Sequence, residues 1–187
     1  MWTRALSGIL LLFAASCSSQ AQRCSLERIS WTPEVRLGIG DFAGSLGTDQ
    51  HTAEANTGIA TNSRSGNDPA TFIVEAVTFF DPCKSWFRRG LTDSATLAHE
   101  RLHFDITELY ARRLMARYAS EIEDHRAFLR KHETIYLEVW EASRRKQEEY
   151  DQEVYRDRAR QSWWAQWVEE QLEATQAHAN KLITLPM

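Results

Sequence analysis

Helix-breaking residues are scarce in this chain, and their placement is more telling than their number. Its 187 residues include 4 prolines and 8 glycines, yet no glycine lies beyond Gly90 and only Pro186 follows Pro82 among the prolines. The C-terminal half therefore has almost nothing to interrupt a helix. Basic runs are missing as well. Lys and Arg total 22 against 26 Asp and Glu, for a net charge of −4, so nothing resembles a nucleic-acid footprint and no such partner is expected. The 3 cysteines contain no CxxC pair, which argues against a cysteine-built zinc site. Apolar runs long enough to span a bilayer are also missing.

What is present begins with MWTRALSGILLLFAASCSSQAQ, an export signal by pattern. Arg4 supplies the positive start and Ala5 to Ala15 the short apolar stretch. Two cleavage readings compete. Ala14-Ala15-Ser16-Cys17 resembles a bacterial lipoprotein signal, which removes residues 1–16 and leaves Cys17 lipidated. Ser19-Gln20-Ala21 suits an ordinary signal peptidase, which removes residues 1–21. Both export the chain, either to the periplasm or outer membrane as a lipoprotein or as a secreted protein. A lipid anchor is the only membrane contact expected. With Cys17 set aside, Cys24 and Cys83 form an even pair in an oxidising compartment. A disulfide between them is expected, two free thiols being the alternative.

The chain from residue 24 to 187 reads as one domain of α+β class: a small N-terminal antiparallel sheet, then helices. Val35, Leu37 and Ile39 alternate, which predicts a strand over Ile29 to Ile39. Thr57 to Thr61 suits a second short strand, Asn62 to Pro69 (NSRSGNDP) a loop, and Thr71 to Phe80 (TFIVEAVTFF) a strand ended by Asp81-Pro82. Asp93 or Ser94 can cap a helix running to about Tyr118, with Ala95, Ala98, Leu102, Ile106 and Leu109 as its core stripe. A long charged helical stretch follows from Glu121 to Ala177, broken once or twice. Its stripe is Ile122, Leu129, Tyr136, Val139, Trp140, Tyr150 and Val154. Trp163, Trp164 and Trp167 suggest a packing cluster, or a patch for a partner or membrane surface.

The chemistry concentrates in LAHERLHFDI, Leu97 to Ile106. Four residues of α-helix turn through about 400°, so His99 and His103 share a face one turn apart. That spacing suits two imidazoles on one tetrahedral zinc. Zinc lowers the pKa of a water towards about 7, and Glu100 is placed to take its proton as general base. Asp105 lies about 200° round the helix from His103 and cannot share that shell; a salt bridge or support of a loop suits it better. Tyr110 reads as a packed tyrosine or as an oxyanion donor.

LAHERLHFDITELYARRL resembles the core of a bacterial domain-of-unknown-function family described as predicted secreted zinc-dependent proteases. ISW at Ile29 to Trp31, Gly40-Asp41-Phe42, FFDPCKSWF at Phe79 to Phe87 and EEYDQE at Glu148 to Glu153 agree in order. The resemblance implies a zincin-like fold, zinc held by His99 and His103, Glu100 as catalytic base, and a peptide or protein substrate. By analogy with zincins, Thr71 to Thr78 becomes the edge strand that aligns the substrate. One departure concerns a third ligand. After the Tyr-Asp pair the family pattern carries Thr and then His-Gly, where this chain has Val154 and Arg156-Asp157. Arginine stays charged and offers no lone pair to a metal. Asp151 and Asp157 stand near the matching position, while His125, His132, His51 and His178 are weaker candidates, and the sequence leaves the third ligand unassigned. Without it, a catalytically degenerate periplasmic metal-binding or scaffold protein is the rival to the peptidase. A coiled-coil assembly factor is the other, suggested by the long charged stretch. Oligomeric state is not encoded in any recognisable feature.

Overall fold

The computed structural model describes residues 24–47, 51–88 and 94–187. The expected export signal, with Cys17, and the cap candidate Asp93 lie outside these residues. The fold is α+β, an antiparallel sheet followed by three helices.

Strands β1 (Ile29–Ser30), β2 (Ala53–Glu54), β3 (Thr57–Ser65), β4 (Thr71–Phe80) and β5 (Trp86–Phe87) precede helices α1 (Ser94–Glu121), α2 (His125–Arg156) and α3 (Arg160–Ala174); β6 (Leu182–Pro186) closes the chain. β4 is the axis of the main sheet. Its β-branched and aromatic residues favour a pleated surface, and every second one is buried: Phe72, Val74, Ala76, Thr78 and Phe80. It pairs with β3 along its whole length, Thr57 opposite Phe80 through Ser65 opposite Phe72. On its other edge, β6 faces Thr71 to Glu75 and β1 faces Phe79 and Phe80. β4 is thus central and paired on both sides, so the expected edge-strand role for Thr71 to Thr78 is wrong. β2 and β5 form a separate two-stranded ribbon.

Other boundaries differ from expectation for local reasons. Only Ile29 and Ser30 of the expected Ile29 to Ile39 strand pair. Pro33 lies in a turn closed by Val35 N–H to Thr32 O (3.1 Å), and beyond it Leu37 enters the core without a ladder. Asn62 to Ser65 extend β3 rather than forming a loop. They are exposed, so polar side chains cost nothing there, and the turn is confined to Gly66 to Ala70. β6 was not anticipated. The long charged stretch is two helices: α2 ends where Asp157 accepts from Ala159 N–H (3.0 Å), before α3.

α1 is the central helix and packs against β3, β4, α2 and α3. From Ile106 to Leu114 it is buried nearly all round, as a helix enclosed by neighbours must be. Ala95 and Ala98, expected on its stripe, are exposed, whereas Leu102, Ile106 and Leu109 are buried. α2 lies on α1 through Ile135, Val139, Tyr150 and Val154, so the face that a coiled-coil partner would need is occupied. Leu129 of its expected stripe is 61% exposed. Trp163, Trp164 and Trp167 do cluster, with Trp164 buried and contacting the other two at 5.4 Å.

Two features tie distant segments together. Cys24 and Cys83 form a disulfide, a bond that fits an oxidising, exported compartment. Glu108, fully buried on α1, takes Arg112 (2.8 Å) and Lys181 (2.9 Å) on one oxygen and the Thr78 hydroxyl (2.7 Å) on the other. No helix among the described residues is long and apolar enough to cross a membrane.

Candidate metal centre

The αα-hairpin of α1 and α2 builds the centre. Asp124 caps α2 by accepting from Ala127 N–H (2.6 Å), and the antiparallel return sets the last turns of α2 beside the first turns of α1. His99 and His103 thereby meet Gln147, Tyr150 and Asp151. The Nε2 atoms of His99 and His103 stand 3.1 Å apart, and both contact Asp151 Oδ1, at 3.0 and 2.9 Å. Among the described residues these three make up a ligand group within 4.8 Å of one another.

Hydrogen bonding around His103 decides what its Nε2 can do. Gln147 donates its amide N–H to His103 O (3.1 Å) and to Thr107 Oγ1 (3.0 Å). Its carbonyl oxygen is then the atom facing His103 Nδ1, at 2.5 Å, and must accept a proton from it. In the neutral ring, Nε2 is left with a lone pair aimed at His99 Nε2 and Asp151 Oδ1. Three electron-rich atoms converging on one point repel unless a cation lies among them, either a proton or a metal. Donors of a tetrahedral zinc held at about 2.0–2.1 Å are about 3.4 Å apart, so a small outward movement would admit it. The donor set fits the metal.

Tyr150 fixes the second imidazole. Its buried ring stacks on His99 at 4.5 Å and 20°, and meets His103 edge-on at 5.0 Å. Burial, then the negative charges of Asp151 and Glu100, hold its phenol well above the usual range, so it packs as a neutral ring. Burial alone would lower the pKa of His103. The hydrogen bond and charge of Asp151, with Glu100 and Gln147, outweigh burial and raise it. Burial would likewise raise Asp151, but its bonds to both histidines hold its pKa well below the carboxylate range.

Glu100 is buried, and its Oε2 accepts from Ala55 N–H (2.8 Å). Its pKa is raised by burial, against the lowering influence of His103, His99 and that N–H. A raised pKa makes the ionised carboxylate a stronger proton acceptor, which suits general-base work. A cleft of about 1030 Å³ is lined by His99, Glu100, His103 and Asp151, and by residues 51–57.

The remaining sequence candidates lie elsewhere or act differently. Asp157 only caps its turn. His125 packs on Phe72 (4.3 Å), and His132 bonds Phe128 O (2.8 Å). His178 sits in a 3₁₀ turn after α3, and His51 lines the cleft outside the donor group. Asp105 accepts from the Trp31 indole (2.7 Å) and so supports the N-terminal loop, as its position on the helix suggested. Tyr110 is buried under Arg113 (4.9 Å) and does not line the cleft. Asp151 was one of two carboxylates near the departing family position, and its place in the Tyr150-Asp151 pair was the available signal. Gln147 gave none, because a glutamine on a charged helix reads as solvated surface. Comparison with protein-family models, curated proteins and solved structures returns no match.

Proposed function

We propose that this chain is an exported zinc-dependent metallopeptidase, anchored through Cys17 or released. His99, His103 and Asp151 hold the metal and Glu100 is the catalytic base. The observation that carries the reading is the convergence of three donor atoms within 3.1 Å of one another, in a cleft that also contains a buried glutamate of raised pKa. With no relative matched, the argument rests on that geometry. Zinc supplies Lewis-acid activation of water and of the peptide carbonyl. The residues do the rest. Glu100, oriented by Ala55 N–H, takes the proton of the attacking water and passes it to the leaving amine. Gln147 and Tyr150 keep the imidazoles aimed, and the open cleft admits an extended chain.

Metal analysis of the purified protein tests the first half: one zinc per chain is expected, lost in His99→Ala and Asp151→Ala. Glu100→Gln should keep the zinc and lose at least about a hundred-fold in peptide cleavage. Zinc uptake without cleavage of any library peptide would leave a metal-binding role alone, and no zinc at all would overturn the reading.

A further inference from the structure

We propose that Trp140 and Ser143 form a side-chain subsite of the cleft, which selects peptides carrying a tyrosine about four residues from the bond to be cut. The inference rests on the peptidase reading of the same cleft.

Trp140 belongs to the stripe of α2 expected to face the core, yet its ring joins neither hydrophobic cluster and lines the cleft instead. Its neighbours Tyr136 and Val139 do pack into the core. The other tryptophans among the described residues have partners. Trp31 donates to Asp105 (2.7 Å), Trp86 to Glu54 (2.9 Å) and Trp164 to Glu153 (3.0 Å), while Trp163 and Trp167 stack on each other. Trp140 is half-buried and has no hydrogen bond, ring contact or cation partner among the described residues. Its indole is a large apolar face, with an unused N–H, left for a ligand to cover.

Ser143 is a second, independent observation. It lines the same cleft and is only 2% exposed. A helical serine ordinarily bonds the carbonyl one turn back or points to solvent. Ser143 makes no hydrogen bond among the described residues. No polar side-chain atom sealed from solvent lacks a partner there, so the small surface Ser143 keeps is its hydroxyl oxygen, open to the cleft. Three residues apart on one helix, the two side chains are neighbours, about 5–6 Å between Cβ atoms, and converge on one ligand. Nearby hydroxyls are already engaged: Thr57 and Thr107 bond each other (2.7 Å), and Thr107 donates to His103 O (2.9 Å). One turn beyond Trp140, the Tyr136 hydroxyl donates to Ile59 O (2.9 Å) and ties α2 to β3. An aromatic ring laid along Trp140 therefore ends at the Ser143 hydroxyl. A phenol can meet that group as donor or acceptor, and a phenyl ring cannot. Ser143 and Trp140 precede Asp151 by 8 and 11 positions, about 12 and 16 Å along the helix axis. An extended chain, at about 3.3 Å per residue, covers that span in about four residues.

Fluorescence anisotropy with Glu100→Gln protein in saturating zinc tests this, using three labelled twelve-residue peptides of alanine, glycine and serine. They differ at one central position, which is tyrosine, phenylalanine or alanine. The phenylalanine peptide should bind about ten-fold more tightly than the alanine one, and tyrosine about five-fold more tightly again. Trp140→Ala should abolish the aromatic advantage and Trp140→Phe should keep most of it, with zinc content unchanged in both. Ser143→Ala should erase only the step from phenylalanine to tyrosine. Equal binding of all three peptides overturns the proposal, as does an aromatic advantage that survives Trp140→Ala. A tyrosine step that survives Ser143→Ala overturns the part given to the hydroxyl. With the unmutated protein, mass spectrometry of the products should place the cut about four residues from the tyrosine, and the cut should follow when the tyrosine is moved. A cut indifferent to its position counts against the subsite. The two readings fail separately. Aromatic preference that depends on Trp140, without zinc uptake or cleavage, would sink the peptidase and leave a tyrosine-binding subsite standing. Cleavage without aromatic preference would sink the subsite alone.

Discussion

Gln147 shows how one uncharged side chain can set the chemistry of a candidate metal site. Both of its amide hydrogens are spoken for by His103 O and Thr107 Oγ1, so its oxygen fixes a proton on His103 Nδ1. Outer-shell partners of this kind are worth about 10–100-fold in metal affinity. Gln147→Ala should therefore weaken zinc binding by that factor, read by competition with a chromophoric chelator, while the far-UV spectrum stays unchanged. An unaltered affinity would mean that the histidine orients itself. Glu108 makes a different residue-scale prediction. Its carboxylate, with no exposed surface, is shared between Arg112 and Lys181. Glu108→Ala leaves the buried Arg112 and the half-buried Lys181 without their carboxylate and should cost about 3–5 kcal/mol in urea unfolding. Since Glu108 lies outside the donor group, zinc affinity of the folded fraction should be unchanged.

Among the elements, the α1–α2 hairpin carries the whole donor set, so its tightness bears on function as well as stability. Removing the α2 cap with Asp124→Ala should lower stability by about 1 kcal/mol, measured by denaturant midpoint. The cap lies at the far end of α2 from Asp151, so the donor triangle should survive it. The elements also show what could be read from the sequence. β4 was legible because it is rich in β-branched and aromatic residues and is closed by Asp81-Pro82, and α1 because HExxH and part of a buried stripe share a helical period. The N-terminal strand was misread because Leu37 and Phe42 are buried in a loop, where alternation records burial without pairing. β6 was missed because LITLP is too short to be distinctive. Its place depends on a non-local edge of β4, and it is reached through Lys181 at φ 46°, a left-handed turn that no glycine announces. His99, Glu100 and His103 were legible because their spacing is local. The Gln147 and Asp151 contributions were not, because they depend on how a second helix is set against the first.

For the molecule as a whole, the donor triangle makes stability depend on pH in a way that metal should reverse. His103 titrates higher in the folded protein than its ordinary value near 6.5, so its contribution is complete below that value and is lost as pH rises through the raised one. Glu100, also raised, acts in the same direction: its stabilising, protonated form is lost as pH rises. Asp151 is lowered, so its contribution is present above its unfolded pKa and disappears only in strong acid. Metal-free protein should therefore be most stable from mildly acidic pH to the ordinary histidine range. It should lose stability on the alkaline side, where nothing cationic remains between the two imidazoles and the carboxylate. Under the proposed function zinc would take that position and compete with the same proton, so its affinity should rise over the interval in which the metal-free protein weakens. Thermal melts from pH 5 to 9, with chelator and with saturating zinc, should give curves that diverge as pH increases. Parallel curves would mean that metal and proton do not share a site, and that the three donors are an ordinary surface ion pair.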